Sequence, residues 1–304
     1  MTHFLQTVID ALSLGSLYAL AALGIGLLFG IMRLINFAHG DFIAIVAYAL
    51  IVPSLDVTAR LFIGNFSWPI LLMAVMTVGI VVALSANALV FRRMRSASPQ
   101  NLMVVSFALG YVIQNLLMMV YGARPKGVGV WSSLTQVVEV AGLRVPLLQA
   151  VTIGATVFLL LAILAFMRLT PYGVQMRAAA EDFKMARYLG VRAEFVIGLA
   201  FAISGLLAAV VSLLFVVQTG VLSPTMGVNI VIFAFIATVI GGMGSLVGAV
   251  LGGLAVGAAT SLLQAYLPAD IRPFRDTIVF ALVIVLLLVR PSGLIRLKQF
   301  EERV

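Results

Sequence analysis

Long apolar runs separated by short polar segments make up almost the whole chain. Six of these runs have roughly the 20 residues that a helix needs to cross a hydrocarbon core about 30 Å thick. They cover residues 7–31, 68–91, 101–121, 146–167, 195–217 and 275–290. Each of the six runs therefore predicts a membrane-spanning α-helix.

Three further apolar segments are less regular. Residues 36–53 carry polar residues at their start, residues 228–241 form a short run that ends in two glycines, and residues 245–266 are studded with glycine. The total is eight or nine membrane segments, and the pattern leaves open whether 36–53 and 228–241 cross the membrane or re-enter it. We expect an all-α integral membrane protein, a polytopic helical bundle with broken or re-entrant helices. Residues 1–304 are predicted to form a single transmembrane domain.

Composition excludes a soluble domain. Hydrophobic residues make up 63% of the chain and charged residues 10%, whereas soluble domains average roughly 25% charged residues. The net charge of +8 lies mostly in the loops, where it suits topology control and attraction to the lipid bilayer rather than to nucleic acid. The chain has no cysteine, which excludes thiolate nucleophiles and cysteine-based metal sites.

The motifs that carry enzymatic chemistry are missing from the sequence. It contains no G-x-x-x-x-G-K-[ST] run for ATP and no H-E-x-x-H motif, and its two histidines, His3 and His39, are far apart. No nucleophile–base constellation points to an intramembrane enzyme. We therefore expect no catalytic residue, no cofactor and no metal site, and a protein that is not an enzyme.

The distribution of Lys and Arg predicts the orientation. The loop around Arg92, Arg93 and Arg95, the segment 168–194 and the C-terminal residues from Arg290 onward hold 12 of the 19 basic residues. The loops on the opposite side hold six. Because basic residues concentrate in cytoplasmic loops, we expect a multi-pass protein with a cytoplasmic C-terminus, and an N-terminus outside if there are nine spans.

The segment 168–194 is polar in an otherwise apolar chain. Five Lys or Arg and three acidic residues fall within its 27 residues. Pro171 suits the first turn of a helix and Gly190 suits its C-terminal cap. This pattern predicts a short polar helix between two spans, as a docking element for a cytoplasmic partner requires. An ordinary positively charged cytoplasmic loop is the alternative.

A second polar interruption lies at Asn36, His39, Gly40 and Asp41. Polar groups at membrane depth are costly unless they face a protein interior or a water-filled path. One interpretation is a broken helix that lines a translocation pathway. The other is a cytoplasmic turn in which Asp41 caps a helix N-terminus.

A glycine-rich stretch forms the third interruption. Gly241, Gly242, Gly244 and Ser245 predict a helix break, which would pair with the Asn36–Asp41 region as the second half of a pathway. A ladder of small residues follows, formed by Gly248, Gly252, Gly253 and Gly257. It predicts a groove that admits a close helix neighbour, and helix packing alone would explain it. Gln114 and Thr238 are expected to form hydrogen bonds between helices.

Four motifs occur in order along the chain: Ile35-Asn-Phe-Ala-His-Gly-Asp41, Arg177-Ala-x-Ala-Glu-Asp-x-Lys-Met-Ala-x-x-Leu-Gly-Val191, Gly241-Gly-x-Gly-Ser-x-x-Gly248 and Arg290-Pro-x-Gly-Leu294. Together they resemble the shorter of the two paired inner-membrane permeases of bacterial branched-chain amino-acid ABC importers. Urea and short-chain amide importers use closely similar permeases.

The resemblance implies a fold related to type II ABC importers and a role as the translocation subunit for leucine, isoleucine and valine. Its implied partners are two cytoplasmic ABC ATPase subunits, a second homologous permease in a heterodimer and a periplasmic substrate-binding protein. ATP hydrolysis would lie in the ATPase subunits. The resemblance also implies that the segment 168–194 couples to the ATPases through Arg177, Ala180, Glu181, Asp182, Lys184 and Gly190, with the two acids in the acidic position of the coupling loop.

Other functions remain open at this point. The same kind of permease could carry urea, short-chain amides or other amino acids. A stand-alone secondary transporter would need ionisable groups deep in several spans, and the chain offers only His39 and Asp41 there.

Overall fold

The computed structural model describes residues 2–56, 58–94, 97–140, 143–290 and 293–295. Every apolar segment predicted from the sequence contains a helix in this structure. The helices are α1 (Thr2–Met32), α2 (His39–Tyr48), α3 (Trp68–Leu89), α4 (Pro99–Tyr121), α5 (Leu147–Leu169), α6 (Pro171–Glu181), α7 (Phe183–Tyr188), α8 (Ala193–Thr219), α9 (Met226–Gly241), α10 (Leu246–Tyr266) and α11 (Arg275–Val289).

The predicted all-α, polytopic membrane architecture is confirmed. Six helices (α1, α3, α4, α5, α8 and α10) are long and apolar enough to cross a membrane, by length and composition. Helices α9 and α11 have 16 and 15 residues. At 1.5 Å per residue each is shorter than a hydrocarbon core about 30 Å thick.

Helix α2 is the shortest of the predicted membrane segments. It has 10 residues, about 15 Å of helix, and the chain leaves the helical conformation before residue 53. Its first turn packs against Gly110, which lies in the middle of α4 rather than at either end. Helix α2 therefore begins inside the bundle and does not cross it.

Helices α1 and α8 form the centre of the bundle. Helix α1 contacts α5, α8, α9 and α10, and α8 also packs against α2 and α3. Gly79 of α3 and Gly205 of α8 lie against each other's backbone, where added Cβ atoms would collide with carbonyl groups. In contrast, α3, α4 and α5 expose large apolar side chains such as Met119 and Phe158, as lipid-facing helices do.

One end of the bundle carries the described β-structure and is called the hairpin end. Strands β2 (Val137–Val140) and β3 (Leu143–Pro146) form an antiparallel hairpin, and β1 (Lys126–Gly127) pairs with β4 (Val221–Leu222). The side chain of Lys126 is buried, and its Nζ donates to the carbonyl oxygens of Ser54 and Asp56, the latter at 2.7 Å. Three loops are thus tied together at this end.

The opposite end carries α6 and α7 and is called the α6–α7 end. Here Nη2 of Arg92, in the 3-10 turn after α3, lies 2.8 and 2.9 Å from the two carboxylate oxygens of Glu194 at the start of α8. The loop after α3 and the segment 168–194 therefore lie on the same end. Arg95, residues 291 and 292 of the fourth motif, and the C-terminal basic residues Arg296, Lys298 and Arg303 lie outside the described residues.

Candidate functional site

The Asn36–Asp41 segment is packed inside the chain. Asn36 and His39 are fully buried, and Asp41 is nearly so. The backbone N–H of Phe37 donates to Ser106 Oγ of α4 at 3.1 Å. Of the two interpretations of this segment, the buried broken helix agrees with the geometry, and a turn at the membrane surface does not.

Asp41 lies in the first turn of α2 and does not cap it. The residue at the cap position is Ala38, which has no side chain able to cap. Oδ1 of Asp41 accepts a 2.9 Å hydrogen bond from Nε2 of Gln114 on α4. A Cβ at Gly110 would overlap Oδ2. Helix α4 therefore provides both the space and the hydrogen-bond donor for this carboxylate, and Gln114 joins two helices.

His39 is held between α1 and α8. Its Nδ1 lies 3.1 Å from Ser204 Oγ, which is also 3.2 Å from the carbonyl oxygen of Gly24. When the serine hydroxyl donates to that carbonyl, Nδ1 carries the proton and donates to Oγ, and Nε2 is left as an acceptor. Within the described residues, neither Nε2 of His39 nor the Asn36 amide has a hydrogen-bond partner. A Cβ at Gly24 would overlap the imidazole ring.

Gly40 brings α2 into backbone contact with α9. A Cβ on Gly40 would overlap the carbonyl oxygen of Gly227, and a Cβ on Gly227 would overlap that of Gly40. The two helices therefore meet at a point where only glycine fits on both sides.

The second predicted break lies between α9 and α10. Helix α9 ends at Gly241, and Gly242 and Gly244 have φ angles of 101° and 91°, a region that favours glycine. Ser245 caps α10 by accepting a 3.0 Å hydrogen bond from the N–H of Gly248. The break lies where the sequence predicted it, and the capping role of Ser245 is seen in the structure.

The chain beyond α11 returns to this break. The N–H of Leu294 donates to the carbonyl oxygen of Ile240 at 2.7 Å, and that of Ile295 donates to Gly241 at 3.2 Å. The described part of the fourth motif thereby contacts the third motif, although more than 40 residues separate them.

The glycine ladder of α10 serves two neighbours rather than one. Gly248 and Gly252 lie against the backbone of α9, while Gly253 and Gly257 lie against Ala19 and Gly15 of α1. Adjacent positions on a helix point about 100° apart, so the consecutive glycines at 252 and 253 open two faces. The single groove expected from the spacing is replaced by two close contacts.

The polar segment contains two helices where the sequence predicted one. Asp182 has extended φ and ψ angles of −146° and 105°, and its Oδ1 accepts from the N–H groups of Lys184 and Met185. Asp182 therefore caps α7 and separates it from α6. Gly190, with φ of 89°, ends α7: its N–H donates to Arg187 and that of Val191 donates to Ala186, as in a Schellman motif.

Two cavities lie beside this polar segment. One of about 590 Å³ is bordered by Glu181, Asp182 and Lys184 together with the end of α1. The other, of about 640 Å³, is bordered by Arg177, Ala180 and Glu181 on one side and by Gly244 and Ser245 on another. Three of the six expected coupling residues and part of the expected pathway thus share one cavity. Neither cavity is bordered by Asn36, His39, Gly40 or Asp41.

The exposed tip of the polar segment is apolar, which the sequence analysis missed. Tyr188 and Leu189 are 85% and 84% exposed, and Met185 is also exposed. Lys184 and Arg187 flank them on the same short helix. In the sequence these apolar residues lie between basic ones, but the pattern does not show which side chains are exposed. In the structure Asp182 caps α7, and the side chains of Met185, Tyr188 and Leu189 lie on its surface.

Comparisons with known proteins match the chain over nearly its whole length. Residues 7–289 match the family described as branched-chain amino acid transport system / permease component. The high-affinity branched-chain amino acid transport system permease protein LivH of Salmonella typhimurium is 33% identical over 311 residues, covering 99% of this chain and 98% of the relative. LivH of Escherichia coli is 33% identical over 308 residues, with the same coverage. BraD of Pseudomonas aeruginosa is 30% identical over 309 residues, again with 99% and 98% coverage.

Proposed function

The chain belongs to the family of branched-chain amino acid transport system permease components, and we propose that it is the inner-membrane translocation subunit of an ABC importer for leucine, isoleucine and valine. As a permease it is a multi-pass transport subunit and not itself an enzyme. In the proposed complex it pairs with a second homologous permease, two cytoplasmic ATPases and a periplasmic substrate-binding protein. The α6–α7 end and the C-terminus then face the cytoplasm.

The shared cavity of about 640 Å³ is the observation that carries the proposed mechanism. It is bordered by Arg177, Ala180 and Glu181 of α6, by Gly244 and Ser245 at the α9–α10 break, and by Gly26 and Gly30 of α1. A displacement of α6 by an ATPase would act on the walls of this cavity first. Because the break has left-handed glycines on one side and a helix cap on the other, it is a suitable hinge between α9 and α10.

We assign the ATPase contact to the tip of α7. An exposed apolar surface, called the knob, is formed there by Met185, Tyr188 and Leu189. It is flanked by the positively charged side chains of Lys184 and Arg187. A few central residues supply most of the binding energy at protein contacts, and tyrosine and arginine are common among them. Glu181 and Asp182 act behind the knob, where Asp182 orients α7.

The pathway assignment remains part of the proposal. Gly241, Gly242, Gly244 and Ser245 would form its moving part. Asn36, His39, Gly40 and Asp41 would form its wall, since they are buried between α1, α4, α8 and α9. A branched-chain amino acid needs an apolar surface and a few dipoles, and a wall of this kind supplies both without a fixed positive charge.

Reconstitution of the complex tests the proposal. The chain is co-purified with the proteins encoded beside its gene, placed in nanodiscs, and assayed for ATPase stimulation by the binding protein with a panel of amino acids, urea and short amides. Stimulation by leucine, isoleucine or valine is expected. Stimulation only by urea or an amide would change the cargo. Transport by the chain alone, down an ion gradient and without an ATPase, would refute the importer.

The α7 assignment has its own test in the same complex. The double substitution Tyr188→Ala and Leu189→Ala is expected to weaken retention of the ATPase subunits and to reduce stimulation at least tenfold, since truncation of central apolar contacts costs about 2 kcal/mol or more. Leu55→Ala is the matched control, because Leu55 is an exposed leucine at the hairpin end. Equal ATPase retention in both variants would remove α7 from the interface.

A further inference from the structure

A small polar pocket lies at the hairpin end, and nothing in the proposed function uses it. It has a volume of about 260 Å³ and lies between the first turns of α1, the last turns of α10 and the start of α11. Its walls include a carboxylate, Asp10, and a guanidinium, Arg275. We call it the outer pocket, because the proposed orientation places it on the periplasmic side.

The Asp10 carboxylate is fixed in position by one donor on α5 and one on its own helix, α1. Its Oδ1 accepts hydrogen bonds from Nε2 of Gln149 on α5 at 2.7 Å and from Nε2 of Gln6 at 3.4 Å. Gln6 is itself anchored to the hairpin, because its side chain exchanges two hydrogen bonds with the backbone of Arg144, at 2.9 and 3.2 Å. Within the part of the chain that the structure describes, the hydrogen bonds to this carboxylate all reach Oδ1, so Oδ2 remains available to a ligand.

Hydrogen bonds also hold the Arg275 guanidinium in the wall of the outer pocket that α10 and α11 form. Its Nε donates to Oδ1 of Asp276 at 2.8 Å, its Nη1 donates to Oε1 of Gln264 at 3.0 Å, and its Nη2 lies 2.8 Å from Oδ1 of Asp276. A guanidinium has five N–H donors, so two remain for an anionic group. These contacts hold the group still and leave part of its donor capacity unused.

An opposed pair of charges suits a ligand that carries both. An ammonium binds a carboxylate, and a carboxylate binds a guanidinium, through charge-assisted hydrogen bonds. Leu14 and Ala265 add apolar surface to the same pocket, which suits an aliphatic side chain. The volume fits a small molecule and is below that of typical drug-sized sites.

We propose that the outer pocket is a weak binding site for a zwitterionic amino acid, with the ammonium at Asp10 and the carboxylate at Arg275. The inference rests on the proposed function, because the pocket would be the first site that binds the amino acid after the binding protein releases it. A phosphatidylethanolamine headgroup carries the same two kinds of charge. The amino acid is favoured because α1, α10 and α11 all border the pocket and its volume of about 260 Å³ is of amino-acid size.

Ligand discrimination in the whole complex tests the site. The complex, without the binding protein, is placed in phosphatidylcholine nanodiscs, and weak binding of leucine, leucinamide and 4-methylpentanoate is measured by saturation-transfer NMR. The wild type is expected to favour leucine over both analogues. Arg275→Gln should remove the advantage over leucinamide, and Asp10→Asn should remove the advantage over 4-methylpentanoate. Each should weaken leucine binding about tenfold, as the loss of one charge-assisted bond implies.

A ratio of affinities does not depend on how much of a variant folds, so partial misfolding cannot imitate the result. Glu139→Gln is the matched control, because Glu139 is an exposed carboxylate paired with Arg144 at the same end, at 3.2 Å. It should leave both ratios unchanged. Equal binding of leucine and its analogues by the wild type, or unchanged ratios in both pocket variants, would overturn the inference.

Two further measurements distinguish a failure of the pocket proposal from a failure of the proposed function. Loss of leucine binding when phosphatidylethanolamine replaces phosphatidylcholine would assign the pocket to the lipid and overturn the inference. Leucine-dependent ATPase stimulation by the loaded binding protein, without direct leucine binding by the complex, would also overturn it and leave the proposed function intact. Absence of any associated ATPase would instead refute the proposed function.

Discussion

Gly40 at the start of α2 and Gly227 at the start of α9 touch through their backbones, and each occupies the space that a side chain on the other would need. The contact between Gly79 of α3 and Gly205 of α8 depends on residue size in the same way. The crossing also holds the half-length helix α2 in place, since α2 packs on α9 as well as on α8.

Gly227→Ala is expected to force α2 and α9 apart and to lower the melting temperature of the detergent-solubilised complex by several degrees, as overpacking costs about 1–3 kcal/mol. Gly154→Ala is the control, because a Cβ at Gly154 of α5 meets no atom within 4 Å. It should be neutral or slightly stabilising, since alanine favours helices over glycine by about 1 kcal/mol. Similar melting temperatures for the two variants would contradict the tight crossing.

Gln114 supplies the donor for the buried Asp41 carboxylate, and its removal should be costly. Gln114→Leu leaves that carboxylate without its 2.9 Å hydrogen bond, which is expected to cost about 1–3 kcal/mol. The neighbouring Asn115 bonds only to the carbonyl of Tyr111 on its own helix, so Asn115→Leu should cost little. Thermal unfolding of both variants, each also combined with Asp41→Ala, measures the coupling. Additive effects of Gln114→Leu and Asp41→Ala would show that the bond contributes nothing.

Lys126 ties together the loops of the hairpin end, and its loss should loosen them. Lys126→Met keeps most of the apolar length of the side chain but leaves the carbonyl oxygens of Ser54 and Asp56 without their donor. Faster backbone hydrogen exchange is expected in residues 50–65, because local opening becomes cheaper there. Exposed Arg124 is the matched control. Equal exchange in Lys126→Met and Arg124→Met would mean that another contact holds the loops.

Asp182 could act as the N-cap of α7 or through direct contact of its carboxylate with the ATPase, and the sequence does not distinguish these two roles. As an N-cap it can be replaced by asparagine, whereas alanine costs about 1 kcal/mol of helix stability. We therefore expect Asp182→Asn to retain substrate-stimulated ATPase activity and Asp182→Ala to reduce it several-fold. If both substitutions abolish stimulation equally, the carboxylate itself contacts the ATPase and the capping role is secondary.

The sequence predicted the helices well because their boundaries have local causes. Apolar length sets the spans, Gly190 marks the end of a helix, and the glycines at 241–244 mark a break. The prediction of a single polar helix was wrong because Pro171 and Gly190 were taken as the two ends of one helix, while in the structure Asp182 ends α6 and caps α7. Strands β1 to β4 were not predicted, since each is two to four residues long and gives little periodicity.

The partners of the buried polar residues could not be predicted, for a physical reason. Gly24, Gly110 and Ser204 matter because of what faces them across helix contacts, and their own neighbours in the chain are ordinary apolar residues. Sequence alone shows that Asn36, His39 and Asp41 must be kept away from lipid. Only the packing shows that α1, α4 and α8 surround them, and that the cavities lie elsewhere.

The return of residues 294 and 295 to the α9–α10 break has a consequence for biosynthesis. The carbonyl oxygens of Ile240 and Gly241 accept hydrogen bonds from the N–H groups of Leu294 and Ile295. Both carbonyl groups belong to buried residues, and a buried carbonyl group without a partner is costly. During synthesis, α9 and α10 leave the ribosome before α11 and these two residues. The break therefore lacks these two hydrogen bonds until α11 is in place. A chain that ends before residue 294 would contain α9 and α10 without the two bonds that complete the break between them.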